Sequence, residues 1–399
     1  MYRITICGLA CLCAVAAAQE RKVSDDEVMR VHRSAILIDT HNDVTSRTAD
    51  GFDIGKPSTE THTDLPRLRA GGVGATFFAV FVAGSYVKDN HSANRTLQMI
   101  DTVKHDIVER YPNDFVLART ADDVEAAHRQ GKIAALMGIE GGHAIEDSVR
   151  LLRDYYELGI RYMTLTHVNT NNWADSSGDM DHADVKHHDG LTPFGKEVVL
   201  EMNRLGMMVD ISHVSDKTFQ DALETSRAPI FASHSSCRAL SKEPRNMTDE
   251  MIVALAKKGG VVQVNFSCEY LSQRYSDAVA PVRKKMMEMI ASGAIRMDRD
   301  GFRKMMEMER SAASPATLAD VVAHIDHIVR IAGVDAAGIG SDFDGIICAP
   351  SGLDDVSKFP NLTRALLEKG YSAADIHKIY GGNLLRVMRA VERARAPML

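Results

Sequence analysis

The sequence predicts an α/β fold: a single (β/α)8 TIM-like barrel with a helical insertion between its seventh and eighth strands. Three observations predict it. Eight short apolar, β-branched runs recur along the 399 residues, amphipathic stretches of helical length separate them, and six of the eight runs end in a His, Asp or Glu. Strand and helix in alternation give a parallel sheet. In a closed barrel the C-terminal strand ends form one ring, and catalytic residues gather there. An open doubly wound sheet shares the periodicity; polar residues set just after the strands favour closure.

The runs are Ala35–Asp39, Gly74–Val82, Ile133–Ile139, Arg161–Leu165, Met207–Ile211, Pro229–Ala232, Gly260–Phe266 and Ala337–Gly340, each of strand length. Helical patterns occupy Ala93–Glu109, Ser148–Leu158, Pro193–Leu205 and Asp249–Lys257, and Gly159, Gly206, Gly259 and Gly333 stand where helices should stop. The segment Cys268–Ser314 breaks the rhythm. It carries Lys284-Lys285-Met286-Met287-Glu288-Met289 and Lys304-Met305-Met306-Glu307-Met308 and is expected to form extra helices in a βα loop. A Met-rich stripe is ordinarily core or interface filler; a lid or a dimer contact is the alternative.

A chain with 45% hydrophobic and 25% charged residues can bury a large core. Its net charge is −7 and it has no long basic run, which argues against nucleic-acid binding. Arg3, the apolar run Ile4–Ala16 and Ala16-Ala17-Ala18 read as a signal peptide over residues 1–18. The apolar run is too short to span a bilayer. The expectation is an exported protein, periplasmic or secreted, whose barrel occupies 19–399 with an insertion at about 268–314 and no transmembrane segment in the mature chain. Gly8-Leu9-Ala10 makes Cys11 a poor lipoprotein site, and Val391–Leu399 lacks the hydrophobic tail of a lipid-anchor signal. Cleavage leaves Cys237, Cys268 and Cys348, an odd count that leaves at least one thiol free or pairing between chains. With no Cys-x-x-Cys, thiolate zinc sites and thioredoxin-like chemistry are not expected.

The strand ends carry the chemistry. The first gives Asp39-Thr40-His41-Asn42-Asp43, in which His41 and Asp43, two apart in extended backbone, face the same side. Imidazole and carboxylate suit zinc, though a polar loop explains this pair as readily. The third run ends Gly138-Ile139-Glu140-Gly141-Gly142-His143, with Glu140 leaving an apolar strand into glycines that admit a ligand closely. His143 reads as a core or supporting histidine. The fifth and sixth runs lead into Ser212-His213 and Ser233-His234, matching placements on neighbouring strands. The fourth leads into Thr166-His167, and the eighth into Ser341-Asp342-Phe343-Asp344-Gly345. Ligand arithmetic gives two ions: His41, Asp43 and Glu140 hold one, and the other oxygen of Glu140 with His213 and His234 holds the second. Three protein ligands and an open position are the catalytic pattern, and a water shared by both ions is acidified toward hydroxide.

These motifs, together with Asn172-Trp173-Ala174 and Arg245-Asn246, run in order across nearly the whole mature chain. The set resembles the renal (membrane) dipeptidase family, peptidase family M19 of the metal-dependent hydrolase superfamily. The resemblance implies two zinc ions on His41, Asp43, Glu140, His213 and His234, and a dipeptide substrate, including dipeptides with a C-terminal D-residue. It implies His167 at the scissile carbonyl oxygen, Arg245 on the free carboxylate, Asp342 handling protons, and a homodimer. Each role is physically apt: Arg offers a two-pronged donor to a carboxylate, a histidine supports a developing oxyanion, and a carboxylate relays a proton. Asp344 is the rival to Asp342. Two alternatives remain: another two-zinc amidohydrolase, acting on N-acyl amino acids or lactones, and an exported binding protein without catalysis. The sequence departs from the animal members in lacking their anchor tail. Its Asp181–His188 stretch, with His182, His187 and His188, lies outside the motif set and reads as a solvated loop rather than a third metal site. Glycosylation triplets at Asn246 and Asn265 read as chance, because one lies beside a site residue and the other in a predicted strand.

Overall fold

Parallel strands buried on both faces need uninterrupted apolar runs, and the chain places them as β1 Leu37–Asn42, β2 Val73–Phe81, β3 Phe115–Leu117, β4 Ile133–Glu140, β5 Ile160–Thr164, β6 Met208–Asp210, β7 Val262–Val264 and β8 Ala337–Ile339. The structure, a computed structural model, describes residues 22–296 and 299–395, so the expected signal peptide lies outside the described residues. β1, β2, β4, β5 and β6 pair in that order, and β7 pairs with β8, all in parallel. Single parallel bridges, Asp210 to Phe231 and Ala232 to Val262, carry the sheet from β6 through residues 230–232 to β7. Another, Asn42 to Phe343, joins β1 to the residues after β8. Eight staves thus close a ring.

Two elements differ from the periodicity. The predicted strand Pro229–Ala232 contributes bridges rather than a ladder; Pro229 has no N–H to donate, and pairing begins only at Phe231, whose N–H reaches Val209 O at 3.1 Å. β3 was not predicted. Its three residues pair with Ile133–Ala135 of β4, while β5 takes Met137–Glu140, so β3 lies outside the ring.

The helices follow local signals. Pro193–Leu205 starts at Thr192, whose hydroxyl accepts from Gly195 N, with Pro193 in the first turn, where no N–H is missed. The predicted helix over 93–109 is an α-helix, Ser92–Asp101, continued as a π-helix, Thr102–Glu109. After β7 come helices Cys268–Leu271, Gln273–Ala291 and Arg299–Ala312. Glu309, fully buried, holds the last two together by accepting from Tyr275 Oη at 2.8 Å and Arg283 Nε at 2.7 Å. Met286 and Met305 are buried, as filler residues would be, whereas Met287 is exposed. Cys268 and Cys348 form a disulfide between the start of this insertion and the loop after β8, and Cys237 is a buried free thiol. Among the described residues no helix is long and apolar enough to cross a membrane.

His324 gives the fold a pH dependence. Its Nδ1 accepts the Cys237 N–H and its Nε2 donates to Leu271 O, both at 3.0 Å, so the neutral ring is built in. Burial, outweighing the bond to Leu271, pushes the ring down to about 4. In the unfolded chain it titrates near 6.5. Between these values only the unfolded state takes the proton, so stability present above about pH 6.5 is lost as pH falls toward 4, by roughly 2–3 kcal/mol. Urea unfolding of wild type and His324→Asn at pH 7 and 4.5 checks this: the difference between the two should shrink by that amount, and a constant difference would refute it.

Candidate metal centre

The C-terminal mouth of the ring collects the predicted residues. His41 lies in β1 and Asp43 just past it. Glu140 ends β4, His167 follows β5, His213 follows β6, His234 follows the 230–232 stave and Asp342 follows β8. Glu140 is the hub. Its Oε2 is 3.4 Å from His41 Nε2, which is 3.3 Å from Asp43 Oδ2. Its Oε1 faces His213 Nε2 at 2.9 Å, His234 Nε2 at 3.3 Å and His167 Nε2 at 3.8 Å. Donor atoms of His41, Asp43 and Glu140 lie within 4.8 Å of one another, as do those of Glu140, His167 and His213, and those of His41, His234 and Asp342.

Neighbouring side chains set the tautomers. Tyr162 Oη donates to Thr40 O at 3.1 Å, so it accepts from His41 Nδ1 at 2.8 Å and leaves the Nε2 lone pair facing the carboxylates. Gly138 makes room for this tyrosine, since a Cβ there would lie 2.0 Å from its ring. Ser233 Oγ donates to Asp210 Oδ2 and accepts from His234 Nδ1, both at 2.6 Å, turning the His234 Nε2 lone pair toward Glu140. Such partners raise ligand basicity and hold ring orientation in metal sites. The donor set fits a metal pair: His41 Nε2 is buried without a hydrogen-bond partner, and His213 Nε2 and His234 Nε2 meet at 2.9 Å before one carboxylate oxygen. Nitrogen lone pairs and carboxylates converging in this way call for cations.

The electrostatics agree. Burial alone would raise the Glu140 carboxyl, but the charge of His41, with His167, His213 and His234 close by, holds it well below its ordinary range. Burial, with Arg245, keeps the His213 ring neutral, and burial, with His41 and Arg245, does the same for His234. At His41 burial is outweighed by Tyr162, Glu140 and Asp43, so the ring binds a proton well above its ordinary value; a metal ion would displace that proton. Burial, with Asp43 and Glu140, pushes Asp342 well up, and Asn265 Nδ2 donates to its Oδ2 at 2.8 Å. His213, Asp342 and Asp344 all adopt left-handed backbone (φ 68°, 62° and 70°), which costs energy in non-glycine residues and clusters at functional sites.

A cavity of about 520 Å³ adjoins the centre, lined by Asp43, Glu140, His167, His213 and Asp342 together with Phe81, Tyr86 and Tyr270, a size suited to a small ligand. Arg245 is not among its lining residues. It sits 5.7 Å from the Tyr270 ring centre and donates to Ser235 Oγ and His234 O, both at 2.6 Å, while its buried Nε has no partner. Asp344, the rival carboxylate, also lines the cavity but is tied to His62, whose N–H it accepts at 2.7 Å. His143 stays out of the donor groups; its Nε2 pairs with Val82 O at 2.9 Å, and burial pushes it down to about 4. Among the described residues His182, His187 and His188 join no group of metal-binding atoms. Asn246 and Asn265 are buried, which rules out glycans on them in the folded chain. Sequence reasoning missed Tyr162, Ser233, Asp210 and Asn265 as supports. The available signal was a polar side chain inside an apolar run, where a buried hydroxyl or amide must find a partner.

Barrel and converging donors together define a hydrolase of the metal-dependent type. The sequence model of the membrane dipeptidase family (Peptidase family M19) matches residues 25–399, and the chain belongs to this family of metallo-dipeptidases. It is 37% identical over 380 residues to dipeptidase verJ of Clonostachys rogersoniana, covering 91% of this chain and 86% of that one. Among solved structures it resembles the probable dipeptidase PvdM of Pseudomonas aeruginosa (TM-score 0.78, 26% identity, 92% of this chain and 98% of that one). It also resembles dipeptidase AC, a metallopeptidase of family M19 (TM-score 0.73, 25% identity, 90% and 98%).

Proposed function

We propose that this dipeptidase cleaves the peptide bond of dipeptides, including those with a C-terminal D-residue, with two zinc ions. His41, Asp43 and Glu140 would hold one; Glu140, His213 and His234 would hold the other. The observation that carries this reading is the division of Glu140, one oxygen toward His41 and the other toward His213 and His234. His167 lies farther from Glu140 than those two rings, which favours an outer role. Bound there, the ions would supply Lewis acidity toward the carbonyl and acidify a nucleophilic water.

The chain's own residues do the rest. The free carboxylate of the dipeptide binds Arg245, whose buried Nε lacks a partner. His167, kept neutral chiefly by burial, donates to the carbonyl oxygen as charge develops on it. Asp342 takes the proton of the attacking water and returns it to the leaving amine. We also infer that the protein is exported, which the Cys268–Cys348 disulfide supports, because such bonds persist in oxidising compartments.

Metal analysis together with hydrolysis of L-L, L-D and D-L dipeptides, an N-acetyl amino acid and a lactone tests the proposal. The expected result is two zinc ions per chain, dipeptide cleavage lost on chelation and restored by zinc, and no lactone turnover. Two zincs with lactone or N-acetyl turnover alone would move the function to another amidohydrolase. No metal and no activity after adding it would leave a binding protein.

A further inference from the structure

We propose that this dipeptidase prefers an acidic side chain, Asp or Glu, on the N-terminal residue of its substrate, and that Arg95, held against Tyr86, reads it. The inference rests on the dipeptidase reading above and adds the substrate class.

The ring sets the direction. In the order β1, β2, β4, β5, β6, 230–232, β7, β8, the second and sixth staves stand opposite each other. Arg245 belongs to the loop after the sixth. A dipeptide whose carboxylate is held there, with its peptide bond over Glu140, extends its N-terminal residue toward the loop after β2. The end of β2, that loop and the helix Ser92–Asp101 bring Phe81, Tyr86 and Arg95 to the cavity wall.

Charge singles out Arg95. Among the described residues three arginines line the cavity: Arg47, Arg95 and Arg283. Arg283 is paired with Glu269 and Glu309, and Arg47 shares the cavity wall with Asp50, three residues along. Among the described residues Arg95 makes no ion pair; its guanidinium carbon lies 5.9 Å from the Tyr86 ring centre. It also sits in the first turn of its helix, where the helix dipole opposes a cation. Helix stability therefore does not account for it. A half-buried guanidinium beside an aromatic face, at the wall of a substrate cavity, suits a carboxylate at the end of a short apolar stem.

The test compares kcat/KM for L-Glu-L-Ala, its isostere L-Gln-L-Ala, L-Lys-L-Ala and L-Ala-L-Ala, using the zinc-loaded full chain and its Arg95→Ala, Arg95→Lys and Arg95→Glu variants. A charge-assisted contact predicts a Glu-to-Gln ratio of roughly ten to a hundred in wild type, expressed mainly in KM. The ratio should fall to about one in R95A, recover in part in R95K, and give way to a preference for L-Lys-L-Ala in R95E. Because each variant supplies its own ratio, a general loss of activity does not imitate the result. Hydrolysis of L-Ala-L-Ala with a wild-type ratio near one, or a ratio unchanged in R95A, overturns this inference and leaves the dipeptidase reading intact. No cleavage of any dipeptide overturns both.

Discussion

Glu140→Gln is expected to lower kcat/KM for dipeptides by roughly a thousandfold or more and to bring bound zinc below two per chain. The substitution keeps the size of the side chain and removes a charge and one lone-pair oxygen. In the wild type the two oxygens stand 3.4 Å from His41 and 2.9 Å from His213, so this one carboxylate reaches both sets of donors. The amide would also turn N–H donors toward rings whose Nε2 lone pairs point inward. Glu140 as a whole is 4% exposed, so its loss leaves little room for another anionic partner. Zinc content by elemental analysis, with kinetics at saturating zinc and a thermal melt to show that the variant folds, decides the matter. Near-wild-type turnover with two retained zincs would remove Glu140 as the bridge.

Arg245→Ala is expected to raise KM for dipeptides by roughly a hundredfold, with a smaller fall in kcat. The guanidinium is anchored on Ser235 Oγ and His234 O, which pre-orients its remaining N–H groups at little entropic cost. Those same anchors brace the His234 backbone, so part of the loss comes from the centre itself. A dipeptide amide separates the two effects. Wild type should prefer the free acid strongly, and the variant should treat acid and amide alike. An equal loss on both substrates would make Arg245 a brace for His234 and not a carboxylate site.

The pattern of eight apolar runs was enough to place all eight staves and the polar residues after them. A parallel strand buried on both faces must be apolar throughout, and the residues just past its C-terminal end must face the mouth. The pattern was not enough for β3, which pairs with β4 outside the ring, or to show that residues 230–232 join the ring through single bridges rather than a ladder. His41, Asp43, Glu140, His167, His213, His234 and Asp342 were legible because each follows or ends such a run. The support of the centre was not. Tyr162 reaches His41 across 121 residues and Asn265 reaches Asp342 across 77, and the pairing of Cys268 with Cys348 spans 80.

The sequence by itself determined the chemistry-bearing residue types and their order around the ring, since these depend on local strand periodicity and on spacing along the chain. Tertiary structure alone decided which lone pair each histidine presents and which oxygen of Glu140 each ring meets. It also decided that Arg245 stands beside Tyr270 rather than on the cavity wall, and that Arg95 makes no ion pair among the described residues. Those are matters of contact between residues far apart in sequence, and only closure of the barrel brings them within a few ångströms.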